Sequence, residues 1–434
     1  MITVDKYLEK LEKSGKPVRV GLVGAGFAGR GFAMQVITSM VGMRLVAISN
    51  RTKSYGEQAY KESGIKDFVY TNDPSKFKSA VKSGKYVLTN DPMLLCKSKD
   101  IDIIVDATYD TEFGAQVALE AFKNKKHLAI INAEMDSTIG PILKVYADKA
   151  GVIYTQANGD QPGVLMNLYR EVKGMGFTPV MAGNIKSLID VRRTPETQKA
   201  FAEAHFQRPT MITSFADGTK ICVEMATVAN ATGFKIGKRG MYGPKCSRVE
   251  EAPNLFSKDE LMNGGLVDYI LGAEPSFGVF ILGYTENPIR RRYMSCYKMG
   301  EGPLYTFYRP YHLSPLEAPM SVARTVIFKD ATLAPWYGPV ADVVSIAKKD
   351  IRKGEILDGV GGFTVYGVID NYVKTRAENL LPIGLSNGSV LKKDVPMDTA
   401  ITFDDVELPK GRLCDRLWNE QLKLFSEKGK NGKK

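Results

Sequence analysis

Residues 18–29 read VRVGLVGAGFAG, an apolar run that leads directly into a glycine-rich turn. The turn has the G-x-G-x-x-G spacing, and a helical pattern from about Arg30 to Met40 follows it. Between a strand and a helix, this spacing is typical of a dinucleotide-binding βαβ unit. In this motif, Gly24 forms the tight turn, Gly26 lets a pyrophosphate approach the backbone, and Gly29 allows the helix to pack closely on the strand. The cofactor-binding residues predicted here are Gly24, Gly26, Phe27, Ala28 and Gly29, with the pyrophosphate at the helix N-terminus. The alternative is a turn of this shape that binds no dinucleotide.

Outward from the turn, short apolar runs alternate with amphipathic stretches as far as Gly159. The further apolar runs are Leu45–Ser49, Ile101–Ala107, Leu128–Asn132 and Val152–Gln156, and helical patterns cover Phe113–Asn124 and Ile139–Ala150. Continuous apolar strands that alternate with helices indicate a parallel sheet covered on both faces. The predicted fold class is therefore α/β, with an N-terminal Rossmann doubly wound parallel sheet in residues 1–158.

The end of the second predicted strand bears on which dinucleotide is bound. NAD sites usually carry an acidic residue there, whereas this chain has Ser49-Asn50-Arg51-Thr52. No carboxylate repels a 2′-phosphate, and Arg51 can pair with one, which favours NADP over NAD. The alternative is that Arg51 is a solvated loop residue. Asn50, Arg51, Thr52, Thr108 and Asn132 complete the predicted cofactor site.

After Gly159 the pattern changes to strands separated by Gly and Pro. We predict an α+β catalytic, substrate and dimerisation domain in residues 159–339, with strands at Pro209–Ser214, Phe277–Tyr284 and Pro303–Tyr311 and a helix at Lys220–Thr232. A β-rich module is predicted for residues 340–410, with strands at Val343–Ala347, Gly362–Val368, Leu380–Ile383 and Thr399–Phe403. Residues 411–434 are predicted to form a C-terminal helix and a basic tail.

A dense cluster of polar residues lies between Gly183 and Gly233. Asp217, Lys220 and Glu224 have helical spacing, so they can converge on one face. Reduction of a ketone needs a proton donor, and a lysine with a lowered pKa beside carboxylates supplies both charge and proton. The alternative is an ordinary helix that Asp217 caps, with Lys220 and Glu224 as an exposed pair. The predicted catalytic residues are Lys186, Asp217, Lys220 and Glu224.

Other polar residues are candidates for contacts with the substrate. Arg192 and Arg193 can bind a phosphate or carboxylate, although runs of charge usually face solvent. His312 can contact substrate or serve as a packed structural histidine. Asp160 and Asn184 complete the predicted substrate set. Asp190, Asp217 and Glu224 offer oxygen ligands for Mg or Mn, but no ligand spacing demands a metal, and we assign no metal ligands.

Charge and cysteine content narrow the class of protein. The net charge is +11, but four Lys and one Glu lie in the tail from Ser426 to Lys434, and the remaining basic residues are scattered. Nucleic-acid binding would be indicated by a stripe of basic residues interleaved with aromatic ones, and the sequence has no such stripe. A small acidic substrate therefore better explains the positive charge. The five dispersed cysteines, the absence of a signal-like start and the lack of an apolar run of ~20 residues predict a cytoplasmic protein with no membrane partner.

The Rossmann segment, the strand Ile103–Thr108 and the entry Lys126-His127-Leu128 to a strand that ends in Asn132 resemble the homoserine dehydrogenase type of oxidoreductase. The resemblance covers nearly the whole chain. The segments Ala182–Lys186 (AGNIK), Ser214–Lys220 (SFADGTK) and Ala229–Gly233 (ANATG) resemble a branch that carries a C-terminal SAF domain, and Ala347–Glu355 (AKKDIRKGE) is similar to the opening of SAF modules, a β-clip fold. One activity of this branch is that of the type II (DXR-like) 1-deoxy-D-xylulose 5-phosphate reductoisomerase, an NADPH-dependent enzyme of isoprenoid synthesis.

The resemblance implies an NADPH-dependent reductoisomerase of a phosphorylated carbonyl compound. It implies Lys186, Asp217, Lys220 and Glu224 as active-site residues, Arg192 and Arg193 as phosphate ligands, and a homodimer or higher homo-oligomer. Homoserine dehydrogenases place a lysine just after the asparagine of the fifth strand, whereas here Ala133 and Glu134 follow Asn132. That departure counts against plain homoserine dehydrogenase activity. The alternatives are a dehydrogenase of a small hydroxy- or amino-acid and a non-enzymatic NADP(H)-sensing protein.

Overall fold

A computed structural model describes residues 4–431 of the chain, with side chains as far as residue 426. The strands are β1 (Val18–Val23), β2 (Met43–Ser49), β3 (Phe68–Tyr70), β4 (Tyr86–Thr89), β5 (Ile103–Asp106), β6 (His127–Ile130), β7 (Tyr154–Gln156), β8 (Thr178–Lys186), β9 (Leu266–Leu271), β10 (Gly278–Tyr284), β11 (Leu304–Arg309), β12 (Ala341–Ala347), β13 (Val365–Asn371), β14 (Val390–Leu391) and β15 (Val406–Glu407).

Helices occur throughout the described part of the chain and alternate regularly with the strands in its N-terminal part. They are α1 (Val4–Lys13), α2 (Phe27–Ser39), α3 (Lys53–Glu62), α4 (Pro74–Lys82), α5 (Pro92–Lys97), α6 (Thr111–Lys123), α7 (Glu134–Ala150), α8 (Gln161–Gly174), α9 (Lys199–Ala204), α10 (Pro209–Ala216), α11 (Thr219–Thr232), α12 (Lys258–Met262), α13 (Pro288–Cys296), α14 (Ser314–Phe328), α15 (Tyr372–Ala377), α16 (Ile383–Ser386) and α17 (Leu413–Asn431). Short 3-10 helices cover Val249–Asn254 and Phe403–Asp405. The described part of the chain contains no helix long and apolar enough to cross a membrane.

The first of two compact units comprises Met1–Met135, Ile142–Gly163 and Leu313–Ala334. Its seven-stranded sheet has the order β3-β4-β2-β1-β5-β6-β7, and every neighbouring pair is parallel. The apolar residues of β1, β2 and β5 are almost completely buried, as expected for strands covered by helices on both faces. Helix α14 packs on α2 so closely that a Cβ at Gly31 would lie 2.6 Å from Pro315. The predicted Rossmann-type parallel sheet and the α/β class are confirmed.

Strands β3 and β4 are short and were not predicted. Each leads into the sequence Thr-Asn-Asp-Pro, at residues 71–74 and 89–92. In both copies the threonine hydroxyl accepts a hydrogen bond from the aspartate N–H, and the aspartate side chain caps the next helix. Asn72 joins the two loops, because its Oδ1 accepts hydrogen bonds from Thr89 Oγ1 and Asn90 N. The repeated motif is therefore the strand-to-helix connection used twice on neighbouring strands.

The second unit comprises Asp136–Pro141, Val164–His312 and Pro335–Lys434. Its main sheet has the order β11-β10-β8-β9, in which β8 and β9 are parallel and β10 is antiparallel to β8 and β11. Strands β12 and β13 form a separate antiparallel pair, and β14 pairs with β15. All fourteen residues of α11 are buried, so its polar side chains lie inside the unit.

Three predicted strands of this unit are wrong. Pro209–Ser214 lies in helix α10, where Pro209 occupies the first turn and the hydroxyls of Thr213 and Ser214 bond back to helix carbonyls. Leu380–Ile383 and Thr399–Phe403 form only single bridges, such as Leu380 with Thr402. The strands predicted at Phe277–Tyr284, Pro303–Tyr311 and Val343–Ala347 and the helix at Lys220–Thr232 are confirmed within a few residues. The predicted C-terminal helix is present as α17, and the tail beyond Asn431 lies outside the described residues.

Candidate functional site

The glycine-rich turn of the first unit joins β1 to α2. Gly24 has φ +95°, a conformation that side-chain-bearing residues rarely adopt. A Cβ at Gly29 would lie 2.1 Å from the carbonyl oxygen of Gly24, so only glycine lets the helix approach the turn. A Cβ at Gly26 would meet nothing within 4 Å, so the space over this residue is open. The three glycines thus have separate roles: backbone conformation, close packing and access.

The N-terminus of α2 has the features of an anion site. Its N-cap residue, Gly26, provides no side-chain cap, and the first turn contains no acidic residue. The amide groups and the positive end of a thirteen-residue helix therefore face this position without a competing carboxylate. Phe27, the first residue of the helix, is 49% exposed. These residues fit the pyrophosphate of a dinucleotide.

Asn50 fixes the turn from the end of β2. Its Oδ1 accepts a hydrogen bond from Ala25 N at 2.9 Å, and its Nδ2 donates to the carbonyl of Thr52 at 2.7 Å. Arg51 and Thr52 are exposed at the same strand end. The predicted ribose-side residues therefore lie next to the glycine turn, and the stretch between Ser49 and Thr52 contains no carboxylate.

Thr108 and Asn132 lie at the same edge of the sheet. Asp106, the last residue of β5, accepts hydrogen bonds from Thr108 N at 2.8 Å and from Thr108 Oγ1 at 2.7 Å. Asn132 Nδ2 donates to the carbonyl of Thr108 at 3.0 Å, and a Cβ at Gly24 would lie 3.0 Å from Thr108 Cγ2. Burial raises the pKa of Asp106 to about 6, although the Thr108 hydrogen bonds oppose that rise. The structure thus brings Gly24, Asn50, Thr108 and Asn132 together.

The catalytic candidates belong to the second unit. Lys220 Nζ lies 4.0 Å from Glu224 Oε1, and each side chain is 2% exposed. The two residues are four apart on α11, so the helix itself sets their separation. The alternative of an exposed surface pair is therefore wrong, because both side chains are buried. A buried ammonium beside a carboxylate can hold a proton away from bulk water.

Asp217 has different partners from those that its spacing suggests. It lies between α10 and α11, accepts a hydrogen bond from Thr219 N at 2.9 Å, and pairs with Lys348 Nζ at 2.8 Å. Burial raises the pKa of Asp217, and the Lys348 ammonium opposes this shift. The side chain thus holds the start of α11, and Lys348 was missed by the sequence analysis as a candidate.

The remaining candidates are spread over both units. Asn184 is completely buried within β8, and Lys186 is half-buried at the end of that strand. Asp160 is half-buried in the first unit, immediately before α8. The ring of His312 lies 4.3 Å from that of Phe277, centroid to centroid.

Arg192 and Arg193 each have a carboxylate partner. Arg192 pairs with Asp398 and donates to the carbonyl of Lys348 at 3.0 Å, whereas Arg193 Nε donates to Asp190 Oδ2 at 2.9 Å. A bound phosphate would have to compete with these carboxylates. Within residues 4–426, no three His, Cys, Asp or Glu side chains are grouped so that they could hold a metal ion.

Two residues that the sequence analysis overlooked left a signal in the sequence. Asp106 ends an apolar strand and precedes Thr108, so a buried carboxylate at the strand edge was predictable. Lys348 directly follows the fully buried strand β12, where a lysine is unusual. Its partner, Asp217, lies 131 residues earlier, and no spacing rule connects them.

Comparison with known protein families finds a match for the segment that contains the catalytic candidates. Residues 159–318 match the family model described as the catalytic domain of the oxidoreductase DRL. The matched segment contains all four catalytic candidates and ends before Lys348. No curated protein sequence matches the chain.

Solved structures of similar arrangement include two enzymes. Myo-inositol dehydrogenase from Lactobacillus casei, in complex with NAD(H) and myo-inositol, is 12% identical over 74% of this chain and 90% of its own, with a TM-score of 0.44. Biliverdin reductase from Synechocystis sp. PCC 6803, in complex with biliverdin and NADP+, is 14% identical over 74% of this chain and 95% of its own, with a TM-score of 0.38. Likenesses this weak carry no argument about substrate.

Two observations identify the class of protein to which the chain belongs. The parallel sheet carries a glycine turn and a helix N-terminus that fit a dinucleotide pyrophosphate. The following segment matches an oxidoreductase catalytic domain and contains a buried lysine–glutamate pair. This chain is an NAD(P)-dependent oxidoreductase.

Proposed function

We propose that this oxidoreductase uses NADPH to reduce a small polar carbonyl compound that carries a phosphate group, with 1-deoxy-D-xylulose 5-phosphate as the first substrate to test. The observation that carries the proposal is the buried pair of Lys220 and Glu224 on α11, within the segment that matches an oxidoreductase catalytic domain. An alternative with the same residues is oxidation of a small hydroxy- or amino-acid, which runs the chemistry in reverse.

The cofactor part of the proposal depends on the first unit. The open space over Gly26 and the uncapped end of α2 receive the pyrophosphate, while Asn50 keeps the turn in place. Arg51 pairs with the 2′-phosphate of NADPH, since it is exposed and has no acidic residue beside it at the strand end. When bound, the nicotinamide supplies a hydride to the carbonyl carbon.

The second unit supplies the proton and the substrate contacts. Lys220 Nζ donates its proton to the carbonyl oxygen, and Glu224 stabilises the ammonium form before transfer. Lys186 polarises the same oxygen from the end of β8, and Asp217 acts through the start of α11. In a reductoisomerase, Glu224 also accepts the hydroxyl proton whose removal starts the carbon rearrangement. Asn184 and His312 complete the proposed substrate contacts of this unit, and Asp160, in the first unit, is a further proposed substrate-binding residue.

Arg192 and Arg193 are the proposed phosphate ligands. Their pairs with Asp398 and Asp190 place both guanidinium groups in the second unit, and both side chains are about 40% exposed, so phosphate can reach them. Mg or Mn is included in the assay because the proposed reaction involves a phosphorylated hydroxyketone. The five cysteines are free thiols, which supports the proposed cytoplasmic location. We further propose a homodimer or higher homo-oligomer, to be tested by light scattering.

The experiment follows NADPH oxidation by its absorbance. The pentulose phosphate with Mg or Mn is compared with small aldehydes, ketones and keto-acids, and homoserine with NADP is tested in reverse. Turnover of the pentulose phosphate alone, with a rearranged carbon skeleton in the product, supports the reductoisomerase. Turnover elsewhere on the panel with an intact skeleton contradicts it and favours the simple dehydrogenase.

Variants test the assigned proton donor. Lys220→Ala is expected to lower kcat by about 100-fold or more while the Kd for NADPH stays within about twofold, since Lys220 belongs to the second unit. Lys199→Ala removes an exposed lysine of the same unit and serves as the matched control. A Lys220→Ala enzyme within about threefold of wild type would remove Lys220 from the catalytic residues.

A further inference from the structure

Lys348 is a buried lysine whose three N–H groups are all used. It follows β12, and its side chain is 2% exposed. Its Nζ donates to Asp217 Oδ2 at 2.8 Å, to the carbonyl of Arg193 at 2.9 Å and to the carbonyl of Gly362 at 2.9 Å. An ammonium group has three donors, so this geometry satisfies it completely. All four residues belong to the second unit.

Two of the three acceptors of Lys348, Asp217 and the carbonyl of Arg193, lie on segments that precede α11. Asp217 precedes the helix and accepts from Thr219 N, and Gly218 has φ +85°. Asp190 N, in the loop that contains Arg193, donates to the carbonyl of Ala216 at 2.8 Å. Lys348 therefore holds both the loop at residues 190–193 and the turn from which α11 starts.

A second contact reaches the residue next to Lys220. Gly367 N, in β13, donates to Thr219 Oγ1 at 2.8 Å. A Cβ at Gly367 would lie 2.9 Å from Thr219 Cγ2, so the strand is packed directly against the first turn of the helix. Residues from the proposed SAF-like module, 340–410, thus contact both Asp217 and Thr219. Lys220 is the next residue along the chain.

We propose that Lys348 is a positioning residue for the reaction: by fixing Asp217 and the Arg193 carbonyl it sets the first turn of α11 and so the place of the Lys220 ammonium. The proposal rests on the proposed role of Lys220 as proton donor. A hydrophobic side chain could fill the same volume, but it would not select one arrangement of a carboxylate and two carbonyls. In this proposal the SAF-like module, residues 340–410, fixes the position of the first turn of α11.

The experiment separates positioning from mere stability with a compensated pair of substitutions. Lys348→Met leaves Asp217 buried with its charge unpaired, and Asp217→Asn leaves the ammonium unpaired, so both single variants lose stability. The double variant Lys348→Met/Asp217→Asn removes both charges and is expected to have a higher Tm than either single variant. Lys349→Met is the matched control, because Lys349 is the neighbouring residue, is exposed and pairs with Glu355.

Three kinds of measurement are made for each variant: steady-state kinetics, which give kcat and KM for the carbonyl substrate; the Kd for NADPH; and hydrogen exchange of the amides of Thr219 and Cys222. These amides donate to Asp217 Oδ1 and to the carbonyl of Gly218 in the first turn of α11. Positioning predicts that the double variant keeps a kcat about tenfold or more below wild type, with faster exchange at these amides and a Kd for NADPH within about twofold. The Lys349→Met control should match wild type in all three.

Two results overturn the proposal. One is a double variant whose kcat returns to the wild-type value together with its stability, since Lys348 would then act only on stability. The other is wild-type exchange at Thr219 and Cys222 in the double variant, because the start of α11 would then not depend on Lys348. If the wild-type enzyme turns over no compound on the panel, the proposed function fails, and the exchange measurement by itself decides whether Lys348 sets the helix start.

Discussion

Asn50 Oδ1 accepts a hydrogen bond from Ala25 N at 2.9 Å, which ties the end of β2 to the glycine turn after β1. Asn50→Ala removes this bond and the one to Thr52, so the turn loses its preorganisation while the sheet stays intact. The expected result is about tenfold weaker NADPH binding, the loss of roughly one hydrogen bond's net free energy. Calorimetric titration of NADPH measures it. Asn124→Ala is the control, because Asn124 also makes two side-chain hydrogen bonds, both to Glu120 at the end of α6, away from the turn.

Arg51 decides the choice between NADPH and NADH in the proposed site. Arg51→Asp replaces a cation with a carboxylate at the end of β2, where NAD sites usually carry an acid. The ratio of kcat/KM for NADPH to that for NADH should fall by about 100-fold, from lost pairing and new repulsion. Lys78→Ala, an exposed change on α4, should leave the ratio unchanged. An unchanged ratio in Arg51→Asp would assign Arg51 to the solvated loop.

Gly26 and Gly29 should respond differently to the same substitution. Gly26→Ala adds a methyl group to open space, so the variant should fold with nearly the wild-type Tm but bind NADPH about 100-fold or more weakly, because the methyl occupies the pyrophosphate position. Gly29→Ala places a Cβ 2.1 Å from the carbonyl oxygen of Gly24 and should cost about 2 kcal/mol or more of stability. Thermal unfolding with and without NADPH measures both effects. Equal losses of Tm would contradict the separate roles.

The parallel sheet was predictable because its central strands are continuous apolar runs. The strands β3 and β4, at and next to one edge of the sheet, were not, since Phe68–Tyr70 has only three residues, all half-buried or exposed, and Tyr86–Thr89 has only four. Their repeated Thr-Asn-Asp-Pro connection is visible in the sequence, but its structural role is not. In the structure, the aspartate of each copy caps the helix that follows. Pro209–Ser214 was misassigned because β-branched residues favour strands, while the proline and the hydroxyl back-bonds favour a helix start.

The candidate site was predictable where chemistry is local in sequence. The glycine turn, Asn50 and the Lys220–Glu224 spacing each lie within a few residues of a recognisable element. The partner of Asp217 was not predictable, because Lys348 directly follows a strand far along the chain and meets Asp217 only through the packing of β12 and β13 on α11. Helical spacing grouped Asp217 with Lys220, whereas the turn at Gly218 directs the Asp217 carboxylate toward Lys348.

Glu224 should matter for stability as well as for activity. Glu224→Gln leaves the buried Lys220 ammonium without its carboxylate partner on the helix, and the expected cost is about 3 kcal/mol of the free energy of unfolding. The double variant Lys220→Met/Glu224→Gln should be more stable than Glu224→Gln, since it removes the Lys220 ammonium together with the Glu224 carboxylate. Urea unfolding measures the series. Glu57→Gln, which breaks the exposed pair with Lys53 at the same spacing, should cost about 0.5 kcal/mol or less.

Asp106 should make the stability of the protein depend on pH. Its pKa in the folded protein, about 6, lies above the ordinary value of 3.8, because burial disfavours the carboxylate. The protonated carboxyl is therefore the form that the folded protein prefers. Its contribution to the free energy of unfolding is fully present below the ordinary pKa and is lost as the pH rises through the folded-state pKa. Asp106→Asn keeps an oxygen acceptor for Thr108 but cannot ionise, so the titration disappears.

Between about pH 4 and pH 7, the free energy of unfolding of Asp106→Asn should therefore rise relative to wild type, on the order of 3 kcal/mol. The difference between the two proteins isolates Asp106, since burial also raises the pKa values of Asp268 and Asp342 to about 6 and both are present in each protein. Thr108→Val removes the hydroxyl that lowers the Asp106 pKa, so its stability should fall more steeply with pH than that of wild type. Urea unfolding at several pH values provides the measurement, and parallel profiles for wild type and Asp106→Asn would show that this carboxyl does not titrate in the folded protein at a raised pKa.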